Sequence, residues 1–260
     1  MPTKRHGAPN WVDCATTDLA AAEAFYAKMF GWTSERISGS GGSVYALQYL
    51  DGERVAGLFE LPEPVRAMGV PPHWETSIEV ADLPLALDKV RAAGGAVLDG
   101  PATEPGVGDM ATVQDVVGAV LRFWTSEPAH GGEVFNIPGA LSWNELATGD
   151  PEAAAKFYAE VLGVEIEAME GPVPYRVMKI GGEPVAGILT KTPEMGDFPD
   201  AWDVYFAVED VDAAIARAEA AGATVLKPAF DVAGGGARMA VLQDPQGAVF
   251  EVIKMAEGAV

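Results

Sequence analysis

The chain repeats itself over a period that only a duplicated domain can produce. Trp11, Asp18, Phe25-Tyr26 and Phe30-Gly31 recur as Trp143, Asp150, Phe157-Tyr158 and Leu162-Gly163, 132 residues on. Later landmarks recur at nearly the same shift: Val55-Ala56-Gly57 with Val185-Ala186-Gly187, Trp74 with Trp202, and Gln114-Asp115 with Gln243-Asp244. Solenoid repeats are about 20–50 residues long, so this is one domain present twice. The repeat places a first domain at residues 1–127 and a second at 140–260. The stretch from Ser126 to Glu133 has no apolar period and is rich in turn formers, which marks residues 128–139 as a linker.

Composition limits the partners. Acidic residues outnumber basic ones, 38 against 17, for a formal net charge of −21. A polyanion would meet repulsion, so nucleic-acid binding is not expected. No apolar run reaches the roughly 18 residues of a membrane span, and the basic start (Lys4, Arg5, His6) leads into no apolar stretch of the secretory kind. Cys14 is the single cysteine, which permits no internal disulfide and fits a reducing compartment. A cytoplasmic protein with neither a nucleic-acid nor a membrane partner is therefore expected, and Cys14 reads as a small buried thiol of the first strand.

Each half reads alike. Strands over 11–16 and 142–147 end at Asp18 and Asp150, which are placed to cap helices; Pro151 and Glu152 strengthen the second cap. Gly163 is the expected helix stop. Strands follow at 44–50 and 55–61, and at 175–180 and 185–190. The unit then restarts with strands at 74–80 and 202–208, with Asp82 and Asp210 opening Ala-rich helices. Two closing strands flank the turns Asp115–Gly118 and Asp244–Gly247. Four βαβββ-like units result. In the strand from Ala201 to Val208, Trp202, Val204, Phe206 and Val208 form an apolar face, while Asp203 and Tyr205 lie on the other; in the first copy Glu75 lies opposite Trp74 and Ile78. A sheet with one polar side suits a cleft.

The spacing Asp18-x7-Tyr26, the step Val80-x-Asp82 and the closing Asp244-Pro245-x-Gly247-x3-Glu251 resemble the vicinal oxygen chelate superfamily, which includes glyoxalase I, extradiol dioxygenases, and fosfomycin and bleomycin resistance proteins. Two-module glyoxalase-like proteins of actinobacteria are similar over nearly the whole chain. The resemblance implies an α+β fold: two tandem glyoxalase-like domains, each a pair of βαβββ units forming a curved mixed sheet around a cup that holds a divalent metal. Its first-strand ligand position, seven residues before the capping Asp, falls on Trp11 and Trp143, which cannot ligate. The position five residues before the Val of Val-x-Asp gives Glu75 and Asp203. The last-strand position, seven after the turn Asp, gives Arg122 and Glu251. In the first half Glu75 and Arg122 read as an ion pair in place of a metal site.

Two readings follow for the second half. In one, Glu145 joins Asp203 and Glu251 on the same side and the three carboxylates hold one hard cation, with Mg²⁺, Mn²⁺ or Ca²⁺ favoured over Zn²⁺; Glu251 would then serve a lyase or isomerase. In the other, no metal is bound and Trp11, Trp143, Tyr45, Tyr175 and Tyr205 line sites for a small organic molecule, as in the bleomycin resistance proteins. Tyr49 is a further wall candidate, although core packing explains the tryptophans nearly as well. His73, at a strand mouth beside Glu75, is the remaining candidate base, or a solvated rim histidine; His6 and His130 lie in the tail and the linker. The glycine-rich stretches at 39–42 and 234–236 read as hairpin tips rather than phosphate loops, because neither joins a strand to a helix. A small-molecule ligand and a monomer or homodimer are expected.

Overall fold

The computed structural model describes residues 5–38, 43–104, 107–127, 131–171, 173–196, 198–232 and 236–256. Both glycine-rich stretches fall wholly or mostly outside the described residues, as does His130. Four modules succeed one another. The first is β1 (Pro9–Thr16), α1 (Leu19–Phe30), β2 (Thr33–Ser38), β3 (Val44–Leu50) and β4 (Glu53–Glu60), followed by the short α2 (Glu63–Ala67). The second is β5 (His73–Glu79), α3 (Leu83–Ala92), β6 (Ala96–Glu104), β7 (Gly108–Gln114) and β8 (Val120–Ser126). The third is β9 (Leu141–Thr148), α4 (Pro151–Leu162), β10 (Glu165–Met169), β11 (Tyr175–Ile180) and β12 (Glu183–Thr190). The fourth is β13 (Ala201–Ala207), α5 (Val211–Ala220), β14 (Thr224–Asp231), β15 (Ala237–Gln243) and β16 (Val249–Met255).

The helices start where the sequence places their caps. The carboxylates of Asp18, Asp82, Asp150 and Asp210 accept from backbone N–H groups of the first turn of α1, α3, α4 and α5. Such caps satisfy donors that the helix itself leaves open. Gly163 closes α4 at φ 68°, a left-handed conformation that a side chain resists. The sequence gives no sign of the edge strands β2 and β10, and it suggests two strands after each Ala-rich helix where three form. The edge strands β2, β6, β10 and β14 are largely exposed, so they show no buried alternation to read.

Two eight-stranded mixed sheets result, ordered β2-β3-β4-β1-β5-β8-β7-β6 and β10-β11-β12-β9-β13-β16-β15-β14. The second order repeats the first strand for strand. The sheets follow the sequence duplication, but the compact units do not. One unit, inner only by its place in the sequence, combines Met1–Trp11, Thr76–Gly131 and Trp143–Asp203, and the other, outer in the same sense, combines Val12–Glu75, Gly132–Ser142 and Val204–Val260. The division at 1–127 and 140–260 therefore describes sheets, not cores. The reason is where each helix finds apolar partners: Phe25, Tyr26 and Phe30 of α1 share a core with Phe206 and Phe250. Phe157, Tyr158 and Val161 of α4 share the other with Ile78, Leu87 and Phe123. The later part of the expected linker is docked rather than loose. Within the outer unit Glu133 accepts from Arg54, and the carbonyl of Gly139 accepts from the Trp32 indole at 2.7 Å. Among the described residues no helix is long and apolar enough to cross a membrane.

Candidate functional site

Away from the cores, both units carry the same three-part frame. In the outer unit Asp13 on β1 pairs in register with Gly57 on β4, and the Tyr45 hydroxyl reaches across to Asp13 Oδ1 at 2.6 Å. In the inner unit Glu145 on β9 pairs in register with Gly187 on β12, and Tyr175 on β11 donates to Glu145. The glycine makes the crossing possible. A Cβ at Gly57 would overlap the Tyr45 hydroxyl and the Asp13 carboxylate, and one at Gly187 would overlap the Tyr175 hydroxyl. Neither glycine has positive φ, so close approach is the reason for it. Asp13, Gly57 and Gly187 are functional candidates that the sequence reading missed. The repeat held the signal, since Asp13 aligns with Glu145 and both glycines close a Val-Ala-Gly triplet.

The inner frame continues into a cluster. Trp143 donates its indole N–H to the Tyr175 hydroxyl at 2.9 Å, and Tyr175 in turn donates to Glu145. Burial, then the charge and hydrogen bond of Glu145, push the Tyr175 hydroxyl well above its ordinary pKa, so it stays protonated. Asp203 lies on β13, the sheet neighbour of β9. It alternates with the buried Trp202 and Val204 and so faces away from the core. Burial first, and the charge of Glu145 second, raise its pKa to about 8. Two carboxyl groups in a desolvated place cannot both ionise cheaply, so the pair holds a proton near neutral pH.

The outer frame carries different chemistry. His73 Nε2 stands 3.3 Å from Glu75 Oε1, and His73 Nδ1 is 2.8 Å from the carbonyl of Pro71. A carbonyl only accepts, so Nδ1 carries a hydrogen, and a proton must lie between Nε2 and Glu75 for those two to bond. His73 is thus a partnered rim histidine. In the inner unit, Arg122 pairs in register with Ser77 and alternates with the core residues Leu121 and Phe123.

Trp11 is buried on β1 in the inner unit, and Tyr205, buried on β13, pairs in register with Glu251 of β16 in the outer unit. Tyr49 bonds Glu35 at the sheet edge and lines neither cluster. Of the three expected metal ligands, Glu145 and Asp203 belong to the inner unit and Glu251 to the outer. Among the described residues no group of three or more His, Cys, Asp or Glu side chains is arranged to hold a metal. The residues do not fit the expected cage: Trp143 takes the first ligand position, and its indole supports the tyrosine that bonds Glu145. Cys14 is fully buried, 3.9 Å from the Tyr26 hydroxyl, and burial raises its pKa, so it is an inert thiol.

Comparison with known proteins agrees with this architecture. Residues 8–123 match the model of the Glyoxalase/Bleomycin resistance protein/Dioxygenase superfamily, and residues 144–253 match that of the Glyoxalase-like domain. The "Putative glyoxylase CFP32" of Mycobacterium tuberculosis is 42% identical over 97% of this chain and 96% of that protein. The anthracycline biosynthesis protein DnrV of Streptomyces peucetius is 34% identical over 97% of this chain and 94% of its own length. In fold, the chain resembles the Mn(II)-bound glyoxalase from Novosphingobium aromaticivorans, with a TM-score of 0.65 at 19% identity over 96% of this chain and 82% of that one. The 2,3-dioxygenase LapB from Pseudomonas sp. KL28 gives 0.63 at 14% identity, over 96% and 93%. With a matching model in each half and relatives alike from end to end, the chain belongs to the glyoxalase/bleomycin resistance protein/dioxygenase group, the vicinal oxygen chelate superfamily.

Proposed function

We propose that this chain binds a small, planar organic molecule without a metal, at the inner cluster of Trp143, Glu145, Tyr175 and Asp203. The observation that carries the reading is the bonded chain from Trp143 through Tyr175 to Glu145. It puts aromatic rings and a supported carboxylate where the superfamily's first metal ligand would stand. Aromatic walls with a few fixed polar groups are what small-molecule sites are made of. The name of DnrV, an anthracycline biosynthesis protein, supports a ligand with a planar ring system. The rival reading is a metal-dependent lyase or isomerase using Glu145, Asp203 and Glu251; against it, no group of three such side chains among the described residues is arranged to hold a metal.

The test is elemental analysis of protein purified without chelator or nickel resin, followed by titration of planar aromatic compounds against tryptophan fluorescence, with and without chelator. The proposal expects no stoichiometric metal, and binding that chelator leaves unchanged and Trp143→Ala weakens. A stoichiometric divalent ion, or binding lost on chelation, would overturn it.

A further inference from the structure

One row of side chains changes its chemistry between the two sheets. In the first sheet Ser77 of β5 pairs in register with Arg122 of β8, and Arg122 in turn with Thr112 of β7, all within the inner unit. Their strand neighbours Ile78, Leu121, Phe123, Ala111 and Val113 lie in the core, so the row faces the opposite way. Neighbouring strands are about 4.8 Å apart, which keeps the backbones of the row within about 10 Å. In the second sheet the matching row is Tyr205, Glu251 and Val241. Where one copy carries a carboxylate, the other carries a guanidinium flanked by hydroxyls.

Ser77 is the observation that asks for a ligand. It is 1% exposed, and its hydroxyl has no hydrogen-bond partner among the described residues. A buried hydroxyl left without a partner is destabilising, and native proteins keep few of them. Arg122 has an interaction of its own, but a guanidinium carries five N–H donors and a bidentate partner takes two. The acidic residues nearest along β5 on the same face are engaged. Glu75 bonds His73, and Glu79 accepts from Asn10 and from the hydroxyl and backbone N–H of Ser126.

The row thus presents O–H and N–H donors, and their complement is an oxyanion. One guanidinium balances one negative charge, and the chain's net charge of −21 penalises a second. That favours a carboxylate over a phosphate dianion. The same net charge opposes any anion at long range, but surface charges are screened beyond about 8 Å at physiological salt. In the adjoining row Trp124 and Met110 pair in register on the same face, an apolar surface for the carbon body of a ligand.

We infer that Arg122 and Ser77 form a second binding site, which takes an organic carboxylate. The Arg122 fork and the Ser77 hydroxyl donate to the carboxylate, Thr112 stands on the other flank of Arg122, and the carbon body lies on Trp124 and Met110. Ser77 is sealed while Arg122 and Thr112 are half-buried, so the ligand arrives over Arg122. The site lies beyond the cluster around Trp143 and does not depend on it.

The test compares 2-naphthoate with 2-naphthamide, which has nearly the same shape and no charge, by calorimetry on the full chain at pH 7.5. The carboxylate should bind at least ~10-fold more tightly, as expected for charge-assisted hydrogen bonds to a guanidinium. Ser77→Ala should weaken naphthoate about 10-fold and leave naphthamide little changed, since a hydrogen bond to a charged group is lost. It should not lower the melting temperature of the free chain, because the hydroxyl it removes has no partner there; a merely structural serine would lower it. Arg122→Gln should abolish the preference for naphthoate. Should that variant fold poorly, Arg122→Lys keeps the charge, loses the fork and should still weaken naphthoate. Equal binding of the two probes, or naphthoate affinity unchanged in Ser77→Ala, overturns the inference. Tighter binding of inorganic phosphate than of naphthoate overturns the carboxylate assignment. Naphthoate binding that Trp143→Ala removes and Ser77→Ala keeps also overturns it, and places the probe at the other cluster in support of the small-molecule reading.

Discussion

Tyr26 of α1 donates a 2.9 Å hydrogen bond to Oδ2 of Asp244, 218 residues further along the chain, within the outer unit. Asp244 Oδ1 meanwhile accepts from the backbone N–H groups of Gln246, Gly247 and Ala248. The Trp74 indole donates to the Tyr26 hydroxyl at 2.9 Å. In the inner unit Tyr158 donates to Asp115 at 2.7 Å and accepts from Trp202 at 2.9 Å. The helix tyrosine, the strand tryptophan and the Asp-x-x-Gly turn thus recur together because they are one buried network. It ties the first module to the fourth and the third to the second.

Replacing Tyr158 with Phe should destabilise the protein by about 1–3 kcal/mol, because the Trp202 N–H and one Asp115 oxygen lose their partner in a buried place. Urea unfolding of the variant measures this. A loss below about 0.5 kcal/mol, the low end for a net hydrogen bond, would show that solvent replaces the hydroxyl and that the network does not hold the modules together.

At one matched pair the inner core carries polar side chains where the outer core carries apolar ones. In the inner unit Asn144 donates to the Thr76 hydroxyl at 2.8 Å, where the corresponding residues of the outer core are Val12 and Val204. Thr76→Val alone should cost about 1–3 kcal/mol by stranding the Asn144 amide. Asn144→Val with Thr76→Val should recover most of that, since replacing both partners by apolar groups of similar shape is close to neutral. A double variant as unstable as the single one would mean that the pair does more than satisfy itself. A positive result would assign the pair to keeping each module with its proper partner.

Much of the fold was legible because local signals and the repeat agree. Asp150, Pro151 and Gly163 bracket α4 in the sequence as they do in space. The edge strand β2 left no trace, because all six of its residues are exposed and nothing forces their alternation. The packing of α1 against the fourth module was hidden for another reason. A repeat tells which segments are alike, not which of them share a core. The site was legible in part: Glu145, Tyr175, Trp143 and Asp203 were read, but as one metal cup with Glu251. Asp13 and Gly187 escaped because their roles depend on a tyrosine crossing from another strand, a relation that exists only in the register.

Gly187→Ala tests that crossing. The added methyl would overlap the Tyr175 hydroxyl and come within 3.0 Å of the Trp143 indole nitrogen, so Tyr175 must move off Glu145. The backbone there accepts alanine, so the cost is crowding alone, about 1–3 kcal/mol. Binding of planar probes should weaken along with stability. Gly182→Ala is the contrast: its φ of 82° strains the backbone, but nothing stands within 4 Å of the added methyl. Its probe binding should be unchanged. Equal binding by the Gly187 variant and the natural chain would remove the Tyr175–Glu145 contact from the site.

The carboxyl pair leaves a signature in the pH dependence of stability. The Asp203 pKa stands at about 8 in the fold against an ordinary 3.8, so between those values the folded chain binds more protons than the unfolded one. Stability contributed by this group is therefore fully present below about pH 4 and is lost as pH rises towards 8. Asp203→Asn imitates the protonated form at every pH and should remove that part of the slope. The variant should be close to the natural chain in stability at pH 4 and more stable than it at pH 8.5. The difference between them should grow by at most about 1.4 kcal/mol per pH unit, less in proportion to the solvent that reaches the group. Urea unfolding of both proteins at matched pH values isolates the term from every other titrating residue. Parallel curves would mean that Asp203 ionises normally in the fold, and that Glu145 and Asp203 share no proton.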